Sequence, residues 1–128
     1  MKINAFKNYR TDYPEDQIIC LNDFNSEELK LFCETLQNVI SGIIVNLHEQ
    51  EYISKSECGL SMELSENPVG LKEMERDNYT CFLNKSGYEE MISLIKHFLE
   101  GDLNDNHFQW LYDNMNPIDL LLSNKCRW

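Results

Sequence analysis

The sequence predicts one α+β domain, a mainly antiparallel sheet with two principal helices packed on it. Three observations lead there. Two segments, at about 26–41 and 88–99, repeat apolar residues at helical spacing. Around them lie short runs that are rich in β-branched and aromatic residues or that alternate apolar with polar, as strands do. The length, 128 residues, matches one domain, since a domain takes roughly 100–200 residues. The apolar fraction of 42% and aromatic fraction of 11% exclude a disordered chain. No apolar run approaches the ~18 residues that a membrane-spanning helix requires.

Taken in order, residues 1–16 mix acidic and basic groups around Tyr9, Tyr13 and Pro14, and read as a loosely attached arm. Residues 17–21 (QIICL) read as a strand closed by Asn22-Asp23. Asn25 or Ser26 then offers an N-cap oxygen, and Glu27 and Glu28 sit where a helix N-terminus favours negative charge. Leu29, Phe32, Cys33, Leu36, Val39 and Ile40 form one apolar stripe, and Gly42 is placed to terminate the helix. Residues 43–48 (IIVNLH) continue that stripe but also alternate; Gly42 and the β-branched residues favour a strand. Residues 60–65 alternate strictly and read as a strand with one wet face, joined through a connection over 49–57. Pro68, Gly70 and a charged stretch make 67–77 a loop with room for one helical turn. Residues 79–83 (YTCFL) read as a strand. Tyr88, Met91, Ile92, Ile95, Phe98 and Leu99 give the second helix its buried face, and Gly101 ends it. Residues 108–112 and 118–122, joined through Asn114, Asn116 and Pro117, read as a closing hairpin. No internal repeat or low-complexity tract is expected.

Charge is the most informative chemical feature. Eleven Lys and Arg stand against 22 Asp and Glu, a net charge of −11. Such a surface repels nucleic acid and anionic membrane and favours a basic partner, although many proteins are acidic for solubility alone. The asymmetry is uneven along the chain. Residues 11–54 hold nine acids, among them Asp12, Glu15, Asp16, Glu49 and Glu51, and one base, Lys30. A second run, with Glu100, Asp102, Asp105, Asp113 and Asp119, has no Lys or Arg between His97 and Asn124. Asp12, Glu15, Asp16, Glu49, Glu51, Asp102, Asp105 and Asp113 are therefore the candidate partner-binding residues.

Other chemistry finds little purchase. The five glycines lie far apart, so no phosphate-binding glycine motif occurs. His48, Glu49 and Glu51 are the nearest thing to a metal set, and the simpler reading makes them a strand-face histidine beside solvated glutamates. No Cys–His or nucleophile-elbow signature is present. Cys20, Cys33, Cys58, Cys81 and Cys126 form no CxxC pair, and the first ten residues lack the apolar stretch of a secretory signal. Reduced thiols in a cytoplasmic protein are expected, with Cys33 and Cys81 as core residues and the role of Cys126 open. No catalytic residue, metal or cofactor is expected.

The order of elements resembles a known group. A capped helix (NSEELKLFCETLQNVISG) precedes a segment ending LHEQEY, and an alternating strand (GLSMEL) leads to YTCFLNKSGYEEMISLIKHFL. A hairpin (FQWLYDNMNPIDLLLS) then closes on a terminal Trp. This is similar to the small acidic immunity proteins of bacterial contact-dependent growth inhibition and related polymorphic toxin systems, over about 17–64 and 79–128. The resemblance implies a cytoplasmic, non-catalytic antitoxin that binds the C-terminal domain of a cognate toxin, typically a basic nuclease. It implies a monomer in a one-to-one complex that covers the toxin's active site or substrate channel. It transfers no site residues, because the contact surface differs from pair to pair. Two other classes stay open: an acidic mimic of nucleic acid that inhibits a DNA- or RNA-binding protein, and a small enzyme.

Overall fold

The computed structural model describes residues 1–7, 16–101, 107–113 and 117–124. The elements are β1 (Lys2–Lys7), β2 (Gln17–Asn22), α1 (Ser26–Ile40), β3 (Val45–Asn46), a 3-10 turn (Leu47–Glu49), β4 (Lys55–Ser56), β5 (Gly59–Leu64), β6 (Gly70–Glu75), β7 (Asn78–Leu83), α2 (Lys85–Leu99), β8 (Phe108–Tyr112) and β9 (Ile118–Ser123). The α+β class and the two principal helices are as expected, but there are two sheets and both are mixed. The first runs β4-β1-β2-β9-β8 and the second β3-β5-β7-β6. Neighbours β1–β2, β8–β9, β3–β5 and β6–β7 are antiparallel, whereas β1–β4, β2–β9 and β5–β7 are parallel.

α1 starts on a full capping box. The Asn25 side chain accepts from the Glu28 amide at 2.9 Å, and Glu28 accepts from the Asn25 amide at 3.0 Å, so two otherwise orphaned donors are satisfied. The other Glu28 oxygen meets the Met1 amine. Gly42 takes φ 104 behind the helix, a left-handed conformation that costs a glycine little. α2 begins three residues before the expected Tyr88, because the Asn84 side chain accepts from the Gly87 amide at 2.9 Å.

Three local expectations are corrected. Residues 2–7 are not an arm: β1 is a central strand of the first sheet, paired on both sides. The segment 43–48 carries only a two-residue strand before it turns into the 3-10 helix, and Ile43 and Ile44 are exposed. The stretch expected as a loop holds β6, which forms a hairpin with β7 around Asp77 at φ 62. β6 sits at a sheet edge, where Lys72, Glu73, Met74 and Glu75 stay exposed and no alternation develops.

The chain also repeats itself in space. The β1–β2 hairpin, α1, β3 and β5 correspond in order and pairing to the β6–β7 hairpin, α2, β8 and β9. Each sheet joins the opening hairpin of one unit to the closing strands of the other, and the join is the parallel pair β2–β9 or β7–β5. Both helices have 15 residues and an Asn N-cap. Buried Leu29, Phe32, Cys33, Leu36 and Val39 of α1 stand at the same distances from Asn25 as buried Tyr88, Met91, Ile92, Ile95 and Phe98 do from Asn84. The helices pack on each other, and their facing sides join the inner faces of both sheets in one core, with Ile19, Leu21, Leu120 and Leu122 from one sheet and Leu60, Met62, Tyr79 and Cys81 from the other. The first unit differs by its insertion, residues 47–58, between β3 and β5.

Candidate partner-binding surface

The described candidate carboxylates fall at two ends of the first sheet. Asp12, Glu15, Asp102 and Asp105 lie outside the described residues. Asp16 precedes β2, and the register that sets Gln17 opposite Ile118 puts it at the same sheet end as Asp113, which follows β8. Glu49 and Glu51 belong to the insertion, which reaches the opposite end of β1 where Tyr52 O accepts from the Met1 amine at 2.8 Å. A six-residue strand separates these ends by ~17 Å. Glu49, Glu51 and Asp113 are exposed and Asp16 is half-buried. Asp119, counted in the second acidic run, is instead buried and partnered. The first sheet's outer face, where Asp119 lies, also buries Ile18, Cys20 and Leu121.

His48 is structural. It sits in the 3-10 turn, and its Nδ1 accepts from the Leu60 amide at 2.9 Å, which ties the insertion to β5. Among the described residues, no group of three or more His, Cys, Asp or Glu is arranged to hold a metal ion.

A polar clasp joins the two sheets. Lys7 Nζ lies 2.9 Å from Asp77 and 3.2 Å from Glu73, and Glu73 also accepts from the Asp77 amide at 3.0 Å. The Tyr79 hydroxyl donates to Gln17 across the same joint. The Asp77 carboxylate, then that of Glu73, raise the Lys7 pKa. The Asp77 amide and then Lys7 lower that of Glu73, and Lys7 lowers that of Asp77. Burial pushes the Tyr79 hydroxyl up to about 12. With its ammonium held by two carboxylates, Lys7 is a cross-link rather than a nucleophile.

The cysteines divide. Cys33, Cys58 and Cys81 are free and buried, and burial holds each thiol above its ordinary range, Cys58 and Cys81 at about 12. Such thiols are protonated at neutral pH and poor nucleophiles. Cys20 is disulfide-bonded, which corrects the expectation of a fully reduced protein. Cys126 lies outside the described residues.

A feature the sequence reading missed is a pocket of about 420 Å³ beside the start of α2. Leu94 and Leu111 supply apolar surface, Tyr112 an aromatic ring, and Glu90 and Asp113 carboxylates; Trp110 also lines it, with its ring packed on the outer face of the first sheet. Of these, only Asp113 was a candidate. Gly87, Glu90 and Leu94 share a face of α2, but residues 110–113 come from a distant stretch of chain, so only folding assembles the pocket.

The chain matches no protein-family model, no curated protein and no solved structure. No helix among the described residues is long and apolar enough to cross a membrane.

Proposed function

We propose that the protein is an immunity protein that binds and neutralises a basic toxin domain, without catalysis of its own. The observation behind this is the lopsided charge: nine acids against one base over residues 11–54, within a net charge of −11. Glu49, Glu51 and Asp113 are exposed, and carboxylates so placed steer a Lys- and Arg-rich partner and pair with it where phosphates would sit. The similarity of element order to toxin-immunity proteins gives the partner its class. The same carboxylates also suit a mimic of nucleic acid, and the identity of the partner separates the two readings.

The proposal places the protein in the cytoplasm, where the free thiols of Cys33, Cys58 and Cys81 persist. The Cys20 bond points the other way, so the thiol state in cells tests this part. The main test is to find whether a toxin domain is encoded beside the gene and to co-express the protein with it. A one-to-one complex and protected cells are expected. Reversing charge at Asp12, Glu15 and Asp16 together, at Glu49 and Glu51, or at Asp102 and Asp105 should weaken binding at least tenfold for one cluster, about 1.4 kcal/mol. If all three variants bind and protect as the parent does, the acidic surface only solubilises.

A further inference from the structure

The two units treat the same groove differently. On α1, the groove is filled from within the chain. The Tyr52 hydroxyl lies 2.6 Å from Thr35 Oγ1, and the Met1 amine sits between Glu28 and Tyr52 O. The aromatic ring thus lies over Thr35 and the amine over Glu28, while Leu31, one turn from each, stays exposed. The corresponding positions of α2, counted from Asn84, are Gly87, Glu90 and Leu94, and all three line the open pocket of about 420 Å³. The insertion that delivers Tyr52 in the first unit has no described counterpart in the second.

We propose that this pocket receives a segment of a basic protein partner, seating an aromatic side chain flanked by Lys or Arg. The chemistry matches such a segment at each point. Leu94 and Leu111 offer apolar contact for a ring, as the α1 groove does for Tyr52. Tyr112, which packs on the same core as Leu94, presents aromatic surface on which a ring stacks or a cation rests. Glu90 and Asp113 are exposed and make no ion pair among the described residues, so they are available to a cation. Glu90 replaces Leu31 of the first unit, which moves a carboxylate onto the rim where the occupant's charge comes from another molecule. The identity of the partner as a toxin rests on the function proposed above; the pocket's chemistry does not.

The test separates the two. The isotope-labelled protein is titrated by NMR with the capped tripeptides Arg-Tyr-Arg and Glu-Tyr-Glu. Saturable shifts are expected at the Gly87, Glu90 and Leu94 amides and the Tyr112 ring, with the basic peptide bound at least tenfold more tightly. Glu90→Lys and Asp113→Lys, both on exposed positions, should each remove most of that preference without changing the melting temperature. No saturable shift at these sites, or an equal response to both peptides, overturns the pocket. A pocket that binds Arg-Tyr-Arg in a protein that fails to protect cells from the adjacent toxin overturns the immunity reading and leaves this inference standing. Protection retained by both charge variants, with a silent pocket, overturns this inference alone.

Discussion

Replacing Tyr88 by Phe tests how the second helix is fastened to its sheet. Tyr88 lies in the first turn of α2, and its side chain is fully buried. The hydroxyl lies 2.7 Å from Glu63 O and 2.8 Å from Cys81 O, so one O–H reaches carbonyls of β5 and β7 across a parallel pair. Burial, then the neighbouring Cys81, raises the pKa of this phenol far above its ordinary value, so it stays a donor in the folded state. Phe keeps the ring and its packing and deletes only the hydroxyl. A net intramolecular hydrogen bond contributes about 0.5–1.5 kcal/mol, and a buried acceptor left without a donor costs about 1–3 kcal/mol. With two carbonyls affected, a loss of about 1–3 kcal/mol is expected. Urea unfolding reads it as a lower midpoint with an unchanged slope, since no extra surface is exposed. A loss under ~0.5 kcal/mol would refute the reasoning, because the carbonyls would then be satisfied without Tyr88. The equivalent residue of α1 is Leu29, which has no hydroxyl, so truncating it tests packing alone.

Four further outcomes follow from the same structure. Phe32→Ala and Ile95→Ala, each at a fully buried position, should cost about 2–5 kcal/mol by denaturant unfolding; under ~0.5 kcal/mol at both would mean the helix faces are misassigned. Tyr52 and Tyr79 are pushed to about 12 by burial, so stability present below the ordinary phenol value of ~10 should fall as pH rises toward 12, and phenolate absorbance should appear together with unfolding. Glu73 and Asp77 are lowered, so their contribution should persist above the ordinary carboxylate range of ~4 and vanish as pH falls through the depressed values; Glu73→Gln should flatten that acid limb in a melting-temperature profile. Cys33, Cys58 and Cys81 should resist alkylation in the native protein at mildly alkaline pH and react on unfolding; rapid native labelling at any of them would contradict their burial.

Much of the local structure is legible along the chain. Both helices can be read from their stripes, since the residues that recur at helical spacing are those the core buries: Leu29, Phe32, Leu36 and Val39 in one, Tyr88, Met91, Ile95 and Phe98 in the other. β5 and β7 are legible because one buried face imposes its period on the residues, and β2 and β9, buried along nearly their whole length, because they read as near-continuous apolar runs. β1 and β6 are not. β1 mixes lysines with apolar residues, and exposed β6 reads as charged loop. The acidic excess is likewise a property of composition, and the proposal of a basic partner rests on it.

Tertiary structure alone decided the rest. Which strands pair, and in which direction, depends on how loops close and faces bury, so the parallel joins β2–β9 and β5–β7 leave no mark in either strand's own pattern. The two-unit arrangement is silent in the sequence because packing fixes where apolar groups fall but tolerates many of them. Phe32 stands where the second helix has Met91, and Cys33 where it has Ile92, and apart from the capping Asn25 and Asn84 and the glycines at 42 and 101 the aligned helix positions share no residue. The scatter of Asp16, Asp113, Glu49 and Glu51 over two sheet ends, and the gathering of Glu90, Leu94, Trp110 and Asp113 into one pocket, arise from contacts between distant segments. A chain records its local periodicities in sequence order, whereas a surface is assembled from residues that only the packed core brings side by side.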